Sequence, residues 1–405
     1  DTNGVVNPLE DTMSEDWFGT STLTFKSGFE QCSHNQLIMK PAVNIQVPYQ
    51  AENQIENGVL TVTLDIAVTG EDLQNKAYAA AQAAVGPLYD QFDLVAFCQP
   101  PNGGWVAYAY VNSWASFFNG RWCNRPSAQL HEIGHNLNMG HSNEPNRAGS
   151  QNNIVEGSRQ DAFVGGAYGD QSALMAYSYD ISDGPKMCFN APKNFQFGWY
   201  VNQQLSYDPL LPSNIDTPKQ LTLNGVNEYK TNGEATNGKL IIVRLVQDGD
   251  TYGRDYYIGF NDKYGINSGT IEGKNQVLLF VKDTGGPNNY GESSRLAGLD
   301  VGQSVTIKDY GSTKTTLADI TISFESLTNN GRDANIIITT LQPQSQLTPG
   351  PINPPTSDSP SASPSSKPSA SPTDAPPPPT KAPTDSTSPP TKAPTTKPTD
   401  PPTSL

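Results

Sequence analysis

The chain has 405 residues, with 40 Asp or Glu against 25 Lys or Arg, so its formal net charge is -15 at pH 7. This acidic balance argues against a nucleic acid or an anionic membrane as partner, because both are bound by clustered cations. The length predicts two globular units plus whatever does not fold. No run of about eighteen apolar residues occurs, so no membrane-spanning segment is predicted.

The first half of the chain mixes strand and helix periodicities, which predicts a mixed α and β domain over residues 1–203. Three segments precede its centre: a strand at 62–68, an Ala-rich helix at 70–92 and a buried strand at 93–98. Residues 105–112, WVAYAYVN, are rich in aromatic and β-branched side chains and predict another strand. A helix is expected to begin near Ser127, and the residues with a predicted chemical role start on that helix.

The segment SAQLHEIGHNLNMGH carries a metal-binding pattern. His131 and His135 are four residues apart, so a helix places both imidazoles on one face, where they can bind one Zn²⁺. Glu132 lies beside them and is predicted to take a proton from a water that attacks a carbonyl. His141 supplies the third imidazole if the helix ends before it and the chain reverses. A lone HExxH is a weak signal, whereas three histidines and a Glu in this register are not expected by chance.

The chain reversal before His141 depends on one unusual residue. Metalloproteases with this motif normally place Gly three residues after the second His, and this sequence has Asn138 there, with Gly140 close behind. Asn is the next-best residue for a left-handed backbone conformation. The sequence leaves open whether Asn138 or Gly140 takes the positive φ.

A second motif, SALMAY at residues 172–177, follows at the distance where metzincin proteases turn beneath the metal through a methionine. Met175 is predicted to pack under the imidazoles without binding the metal, and an ordinary core methionine is the alternative. Tyr177 is predicted to hydrogen-bond the oxyanion of a tetrahedral intermediate, and a packed tyrosine without a catalytic role is the alternative.

Three segments together resemble the gametolysin family of metzincin zinc metallopeptidases: RWCNRPSAQLHEIGHNLNMGHSNE, YGDQSALMAYSYD and GPKMCFNAPKNFQFGWY. The resemblance covers about residues 32–200. It implies a metzincin-like catalytic domain with a mixed sheet and an active-site helix, a zinc cofactor, and cleavage of extracellular-matrix or cell-wall glycoproteins, often rich in proline or hydroxyproline. It also implies that WVAYAYVN is the edge strand along which an extended substrate pairs.

Family members are typically made as inhibited zymogens, yet no pro-segment with a free inhibitory cysteine precedes this domain, and no signal segment is visible. We expect both to have been removed or omitted. Four cysteines without CxxC spacing, at positions 32, 98, 123 and 188, predict two disulfides and an oxidising compartment. All three pairings remain open, and four buried free thiols are the alternative. His34, beside Cys32, is expected to be structural or exposed.

Residues 204–341 repeat short alternating segments between Gly, Asn and Asp clusters, which predicts a β-sandwich-like domain for packing or recognition. Residues 248–253 begin like a calcium loop, but Gly259 stands where a bidentate Glu is needed, so a turn is predicted. From residue 342 to 405 the composition is rich in Pro, Ser and Thr without aromatic residues, which predicts a disordered stalk and suits O-glycosylation.

The sequence as a whole predicts an α+β, secreted zinc metalloendopeptidase that acts on extracellular or cell-wall proteins, including proline-rich glycoproteins. One alternative is a metalloprotease whose third ligand is Glu156, which would leave His141 and Met175 unexplained. The other is a catalytically silent cell-surface or wall-associated adhesion protein that keeps a metalloprotease-like domain. The presence of all three histidines and of Glu132 argues against that second alternative.

Overall fold

The protein is described by a computed structural model, and its fold is mixed α+β. The described residues are 8–43, 55–64, 69–144, 153–155, 168–176, 186–231, 234–247, 255–282, 286–311 and 317–341. They lie in one compact unit that spans residues 1–344. None of the described helices combines the length and apolar character needed to cross a membrane. The predicted stalk, residues 342–405, lies outside the described residues.

The α-helices of the described residues lie in the first half of the chain. They are α1 (Glu10–Phe18), α2 (Phe25–Cys32), α3 (Gly70–Val85), α4 (Leu88–Gln91), α5 (Pro126–Asn136) and α6 (Ala191–Phe197). Helix α2 begins with a capping box in which Thr24 and Ser27 each accept the other's backbone N–H. Helix α5 begins with a proline in its first turn, where no intrahelical partner for the N–H is needed. The single helix predicted at 70–92 is instead divided at Gly86 and Pro87.

A three-stranded sheet packs beside these helices. It consists of β1 (Val95–Gln99), β2 (Ala107–Ala109) and β3 (Ala115–Asn119), in the order β1-β3-β2. Strand β3 is parallel to β1 and antiparallel to β2. Within the described part of the chain β2 is therefore an edge strand, as the segment WVAYAYVN was expected to be. Residues 62–64 of the strand predicted at 62–68 are not in a described strand, and residues 65–68 lie outside the described ranges.

Two larger sheets account for the predicted β-rich part. One has the order β4 (Ser142–Asn143), β11 (Ser293–Leu299), β10 (Val277–Lys282), β9 (Tyr256–Phe260), β8 (Ile242–Leu245) and β6 (Gln204–Tyr207). The other has the order β5 (Asn153–Val155), β12 (Ser304–Tyr310), β13 (Ala318–Thr328), β14 (Asp333–Leu341) and β7 (Lys219–Asn224). Apolar side chains from both sheets, among them Val243, Val277, Ile320 and Ile336, form one buried cluster. This packing is that of two sheets sharing a core.

Strand pairing and a second core join the first half of the chain to the β-rich part. Strand β4 pairs with β11 in parallel, and β5 pairs with β12 in parallel. Phe195 of α6 packs against Tyr257 of β9 with ring centroids 5.5 Å apart. These contacts cross the boundary predicted at residues 203 and 204, so the segment that follows His141 is held by the β-rich part.

Two disulfides are present, as predicted, and they select one of the three possible pairings. Cys32 pairs with Cys188 and Cys98 pairs with Cys123, with Cα–Cα distances of 5.4 and 5.5 Å. The first ties α2 to the segment before α6. The second ties β1 to the turn that leads into α5, so both brace the region of the histidine motif.

Candidate metal centre

Helix α5 carries the first two histidines and ends where the motif requires. His131, Glu132 and His135 are all buried on it, and its last residue is Asn136. Met139 N–H donates to the Gly134 carbonyl and Asn138 N–H donates to the His135 carbonyl, both at 2.9 Å. This pair of hydrogen bonds is a Schellman ending, which needs a left-handed residue at the position of Asn138.

Asn138 takes the positive φ, +72°, which settles the choice that the sequence left open. Gly140 is required for a different reason. A Cβ at residue 140 would lie 2.7 Å from the Gly291 carbonyl oxygen and 2.9 Å from the Glu292 nitrogen. Gly140 therefore permits a close approach of two backbones just before His141.

The reversal brings the three histidines together. Their ligand nitrogens all lie within 4.8 Å of one another, and the group could hold a metal ion. Nitrogens bound at about 2.1 Å to one tetrahedral ion lie about 3.4 Å apart, so small side-chain adjustments suffice for ligation. Three imidazoles are a donor set that suits Zn²⁺ and several other divalent transition metals.

The second nitrogen of each ring faces a protein acceptor. His135 Nδ1 lies 2.8 Å from the Met139 carbonyl, so Nδ1 carries the proton and Nε2 is left as the ligand. His131 donates to the backbone carbonyl of Ala176. His141 Nδ1 lies 4.0 Å from Glu292 Oε1. Such outer contacts fix the tautomer and orientation of metal-binding histidines.

Burial also keeps these imidazoles neutral. It lowers the pKa of His135 to about 4 and that of His141 to about 3, and it holds the pKa of His131 well below its usual value. Charged neighbours add to the effect, since Lys193 lies close to all three. A histidine must be unprotonated to bind a metal, so the group is ready for ligation at neutral pH.

Glu132 is a buried carboxyl beside the histidines. Burial raises its pKa to about 8, and its Oε2 has no hydrogen-bond partner among the described residues. A buried polar atom without a protein partner indicates a place for a bound polar ligand. Such a carboxyl can exchange a proton near neutral pH, which is what a general base or acid requires.

Met175, predicted to pack beneath the imidazoles, is buried against α5. It is 1% exposed, and a Cβ at Gly134 would overlap its sulfur, so the side chain lies against the helix between His131 and His135. Its carbonyl accepts a hydrogen bond from Ser142 N–H at 2.8 Å, which links the turn to the residue after His141. Tyr177, predicted at the oxyanion, and Glu156, the alternative third ligand, lie outside the described residues.

Sequence reasoning missed Tyr168, whose ring lies against the histidine group. Its centroid is 4.3 Å from that of His141 and 5.8 Å from that of His131. It is 40% exposed and has a φ of +73°, which is uncommon for a tyrosine. Burial, and then the charges of Glu132 and Glu292, raises its pKa. The sequence offered one indication of Tyr168: it lies in the segment YGD, seven residues before Met175.

A buried polar network, also missed, supports the segment after His141. The Asn190 side chain donates to Ser142 Oγ, Asp170 Oδ2 and Ser293 Oγ at 3.0 to 3.2 Å. Arg295 of β11 pairs with Asp170 at 3.1 Å. Paired buried charges of this kind are strongly destabilising to break, so the network rigidifies the junction between the histidine segment and β11.

Comparisons of the chain with protein-family models, with curated proteins and with solved structures found no match. The fold and the site therefore define its class on their own. Over its described residues, it is a mixed α+β protein with two disulfides and a histidine triad able to hold a metal ion.

Proposed function

We propose that this protein is a secreted zinc-dependent metalloendopeptidase, similar to the gametolysin family, that hydrolyses peptide bonds in extracellular or cell-wall proteins. The observation that carries the proposal is Glu132, a buried carboxyl whose Oε2 has no hydrogen-bond partner among the described residues, beside three imidazoles that could hold a metal ion. The two disulfides suit an oxidising compartment.

In this proposal His131, His135 and His141 hold the zinc ion. When bound, zinc polarises a substrate carbonyl and lowers the pKa of a coordinated water toward about 7. Glu132 accepts the proton of the attacking water and later delivers it to the leaving amine. Its raised pKa suits both steps, because a group that titrates near neutral pH can take up and release a proton there.

The substrate is proposed to pair with β2. This strand lies at the edge of its sheet within the described residues, and the chain that follows it reaches α5, where Asn112 N–H donates to the His135 carbonyl at 3.0 Å. An extended peptide can add to such an edge through backbone hydrogen bonds, whatever its sequence. That arrangement would lay a scissile bond alongside the helix that bears the histidines.

Two tyrosines are candidates for hydrogen-bonding the oxyanion: Tyr177 from the motif and Tyr168 from its contact with His141. Replacing each with Phe separates them. Replacing the tyrosine that contacts the oxyanion is expected to lower kcat by about 10²-fold or more. KM should change little, because the contact forms only in the transition state. If neither variant loses kcat, both assignments are wrong.

The test of the function compares wild type with Glu132→Gln, each loaded with zinc, on a proline-rich glycoprotein. The variant is expected to keep its zinc and to lose cleavage by about 10²- to 10⁴-fold, since only the proton-transfer group is removed. Chelation is expected to abolish wild-type cleavage. Full activity in Glu132→Gln would show that the base is misassigned. Zinc binding by wild type without turnover of any protein would instead favour the adhesion alternative.

A further inference from the structure

His141 differs from the other two histidines because groups outside helix α5 hold its main chain. Its carbonyl accepts hydrogen bonds from Ser293 N–H at 3.1 Å and from Lys193 Nζ at 3.0 Å. The Lys193 side chain also donates to Ser293 Oγ at 2.8 Å. Because Ser293 begins β11 and Lys193 lies on α6, the β-rich part and α6 together set the position of the third histidine.

The ring of His141 faces a carboxylate from the same strand junction. Glu292 Oε1 lies 4.0 Å from His141 Nδ1. The other oxygen, Oε2, accepts a hydrogen bond from Asn143 Nδ2 at 2.7 Å. The backbone at Gly291 and Glu292 packs directly on Gly140. Glu292 is therefore held on two sides with one oxygen directed at the ring.

The described residues that precede Glu292, 286–291, are themselves anchored. Lys282, at the end of β10, is buried and donates through Nζ to the carbonyls of Gly286 and Pro287 at 2.9 and 3.3 Å, and to that of Asn289. An ammonium group surrounded by three carbonyls fixes the path of the backbone. This anchoring places Glu292 by rigid elements on both sides, because β11 follows it at once.

The partner of His141 also differs in chemistry from those of the other histidines. His131 and His135 face the backbone carbonyls of Ala176 and Met139. Among the described residues, the carboxylate that lies beside an outer ring nitrogen of the triad is Glu292, and it lies beside His141. A carboxylate that accepts from the outer nitrogen orients the ring and makes the inner nitrogen a stronger ligand, and removing such a partner typically costs 10- to 100-fold in metal affinity.

We propose that Glu292 is a positioning residue of the metal centre: when the His141 ring turns to bind a metal ion through Nε2, its Nδ1–H closes the 4.0 Å separation from Oε1 and donates a hydrogen bond that holds the ring in place. This inference rests on the part of the proposed function that places a metal at the three histidines, and it does not depend on peptide hydrolysis. The β-rich part then completes the metal centre in addition to any role in recognition.

The test is a competition titration with Zn²⁺ against a chromophoric chelator, using purified full-length protein. Glu292→Gln is expected to bind Zn²⁺ about 10- to 100-fold more weakly than wild type. Asn143 donates to the amide oxygen of this variant, which turns the amide NH₂ toward His141 Nδ1–H, so a donor meets a donor. Glu292→Asp keeps the charge and is expected to fall between the two.

Asp319→Asn is the matched control. Asp319 lies on β13 in the other large sheet, its side chain is 25% exposed, and it pairs with Lys308 at 2.5 Å. Its neutralisation is expected to leave Zn²⁺ affinity unchanged. The absorption spectrum of bound Co²⁺ gives a second readout: it should change in Glu292→Gln and not in Asp319→Asn, whereas a purely structural role for Glu292 would lower the stability of the metal-free protein and leave the Co²⁺ spectrum alone.

Equal Zn²⁺ affinity in wild type and Glu292→Gln would overturn the role of Glu292 and leave the proposed function standing. Absence of Zn²⁺ and Co²⁺ binding by wild type would overturn both.

Discussion

Burial changes the pKa of His34, a histidine that lies apart from His131, His135 and His141. Its Nε2 is 2.8 Å from the Val226 carbonyl, and its ring packs against Tyr200 and Tyr229. Burial lowers its pKa below 6.5, the hydrogen bond to Val226 and the charge of Glu234 oppose the shift, and Lys230 adds to it. These contacts agree with the structural role expected from its position beside Cys32.

This shift predicts a pH dependence of stability. Because the native pKa of His34 is below the unfolded value of about 6.5, the native chain binds fewer protons in that window, and the free energy of unfolding falls as pH drops through it. His34→Gln keeps a donor for the Val226 carbonyl but does not titrate. Between neutral pH and about pH 5, we expect the unfolding free energy of wild type to fall more than that of His34→Gln.

Urea unfolding of the metal-free proteins measures this difference, since the other histidines contribute equally to both chains. A difference that is the same at both pH values would show that His34 does not change its protonation there.

Single residues also mark the limit of prediction from the sequence. The histidines, Glu132 and Met175 could be found because local spacing alone defines them. Glu292 could not, because it meets Asn143 across a separation of 149 residues and no motif surrounds it. Tyr168 was missed because its contact with the histidines depends on a left-handed backbone conformation, which is uncommon for tyrosine and has no signature in the sequence.

At the scale of the element, the end of α5 decides whether the third histidine can join the first two. Asn138, with its φ of +72°, ends the helix, and its carbonyl accepts a hydrogen bond from Gln196 Nε2 at 2.8 Å. The need for a reversal here was predictable from spacing, because a continuing helix would have carried His141 away from the ligand face.

Asn138→Ala is expected to destabilise the protein by about 1–2 kcal/mol. The Cβ of Ala disfavours the left-handed conformation, whereas the short polar side chain of Asn can hydrogen-bond locally and offset that cost. Asn138→Gly is the matched control and is expected to stay within a few tenths of a kcal/mol of wild type. Chemical unfolding at neutral pH measures both. Equal stability of the two variants would mean that the positive φ is not required for the helix ending.

Other elements escaped prediction for physical reasons. No strand was predicted at residues 115–119, because all five residues of β3 are buried and the alternation that reveals a half-exposed strand is absent. The helix predicted at 70–92 was too long, because its Gly-Pro pair breaks the hydrogen-bond ladder. In the β-rich part alternation was informative, as β13 alternates buried and partly exposed residues over its first seven positions.

At the scale of the whole molecule, two disulfides close loops of very different length. Cys32 and Cys188 are 156 residues apart, and Cys98 and Cys123 are 25 apart. Loop-closure entropy predicts contributions to stability of about 5 and about 3.5 kcal/mol. Replacing both cysteines of the long loop with Ser should therefore cost more than replacing those of the short loop, as measured by denaturant unfolding. The reverse order would show that native contacts, and not chain entropy, dominate.

The pairing of strands between the first half and the β-rich part was the feature least predictable from the sequence. Periodicity indicated the strands of the β-rich part, but it could not reveal that β4 and β5, which belong to the first half, pair with β11 and β12. Such pairing depends on tertiary contacts that local patterns do not encode. The candidate metal site therefore draws on both halves, with three histidines from one and contacts to His141 from the other.

The decisive measurement is the zinc content per chain after loading and gel filtration, on wild type and on the double variant His131→Ala, His135→Ala. We expect one zinc ion per wild-type chain and none in the variant, because a single histidine cannot retain the ion. A wild-type chain without zinc, or a variant that keeps its zinc, would contradict the assignment of the metal to these histidines.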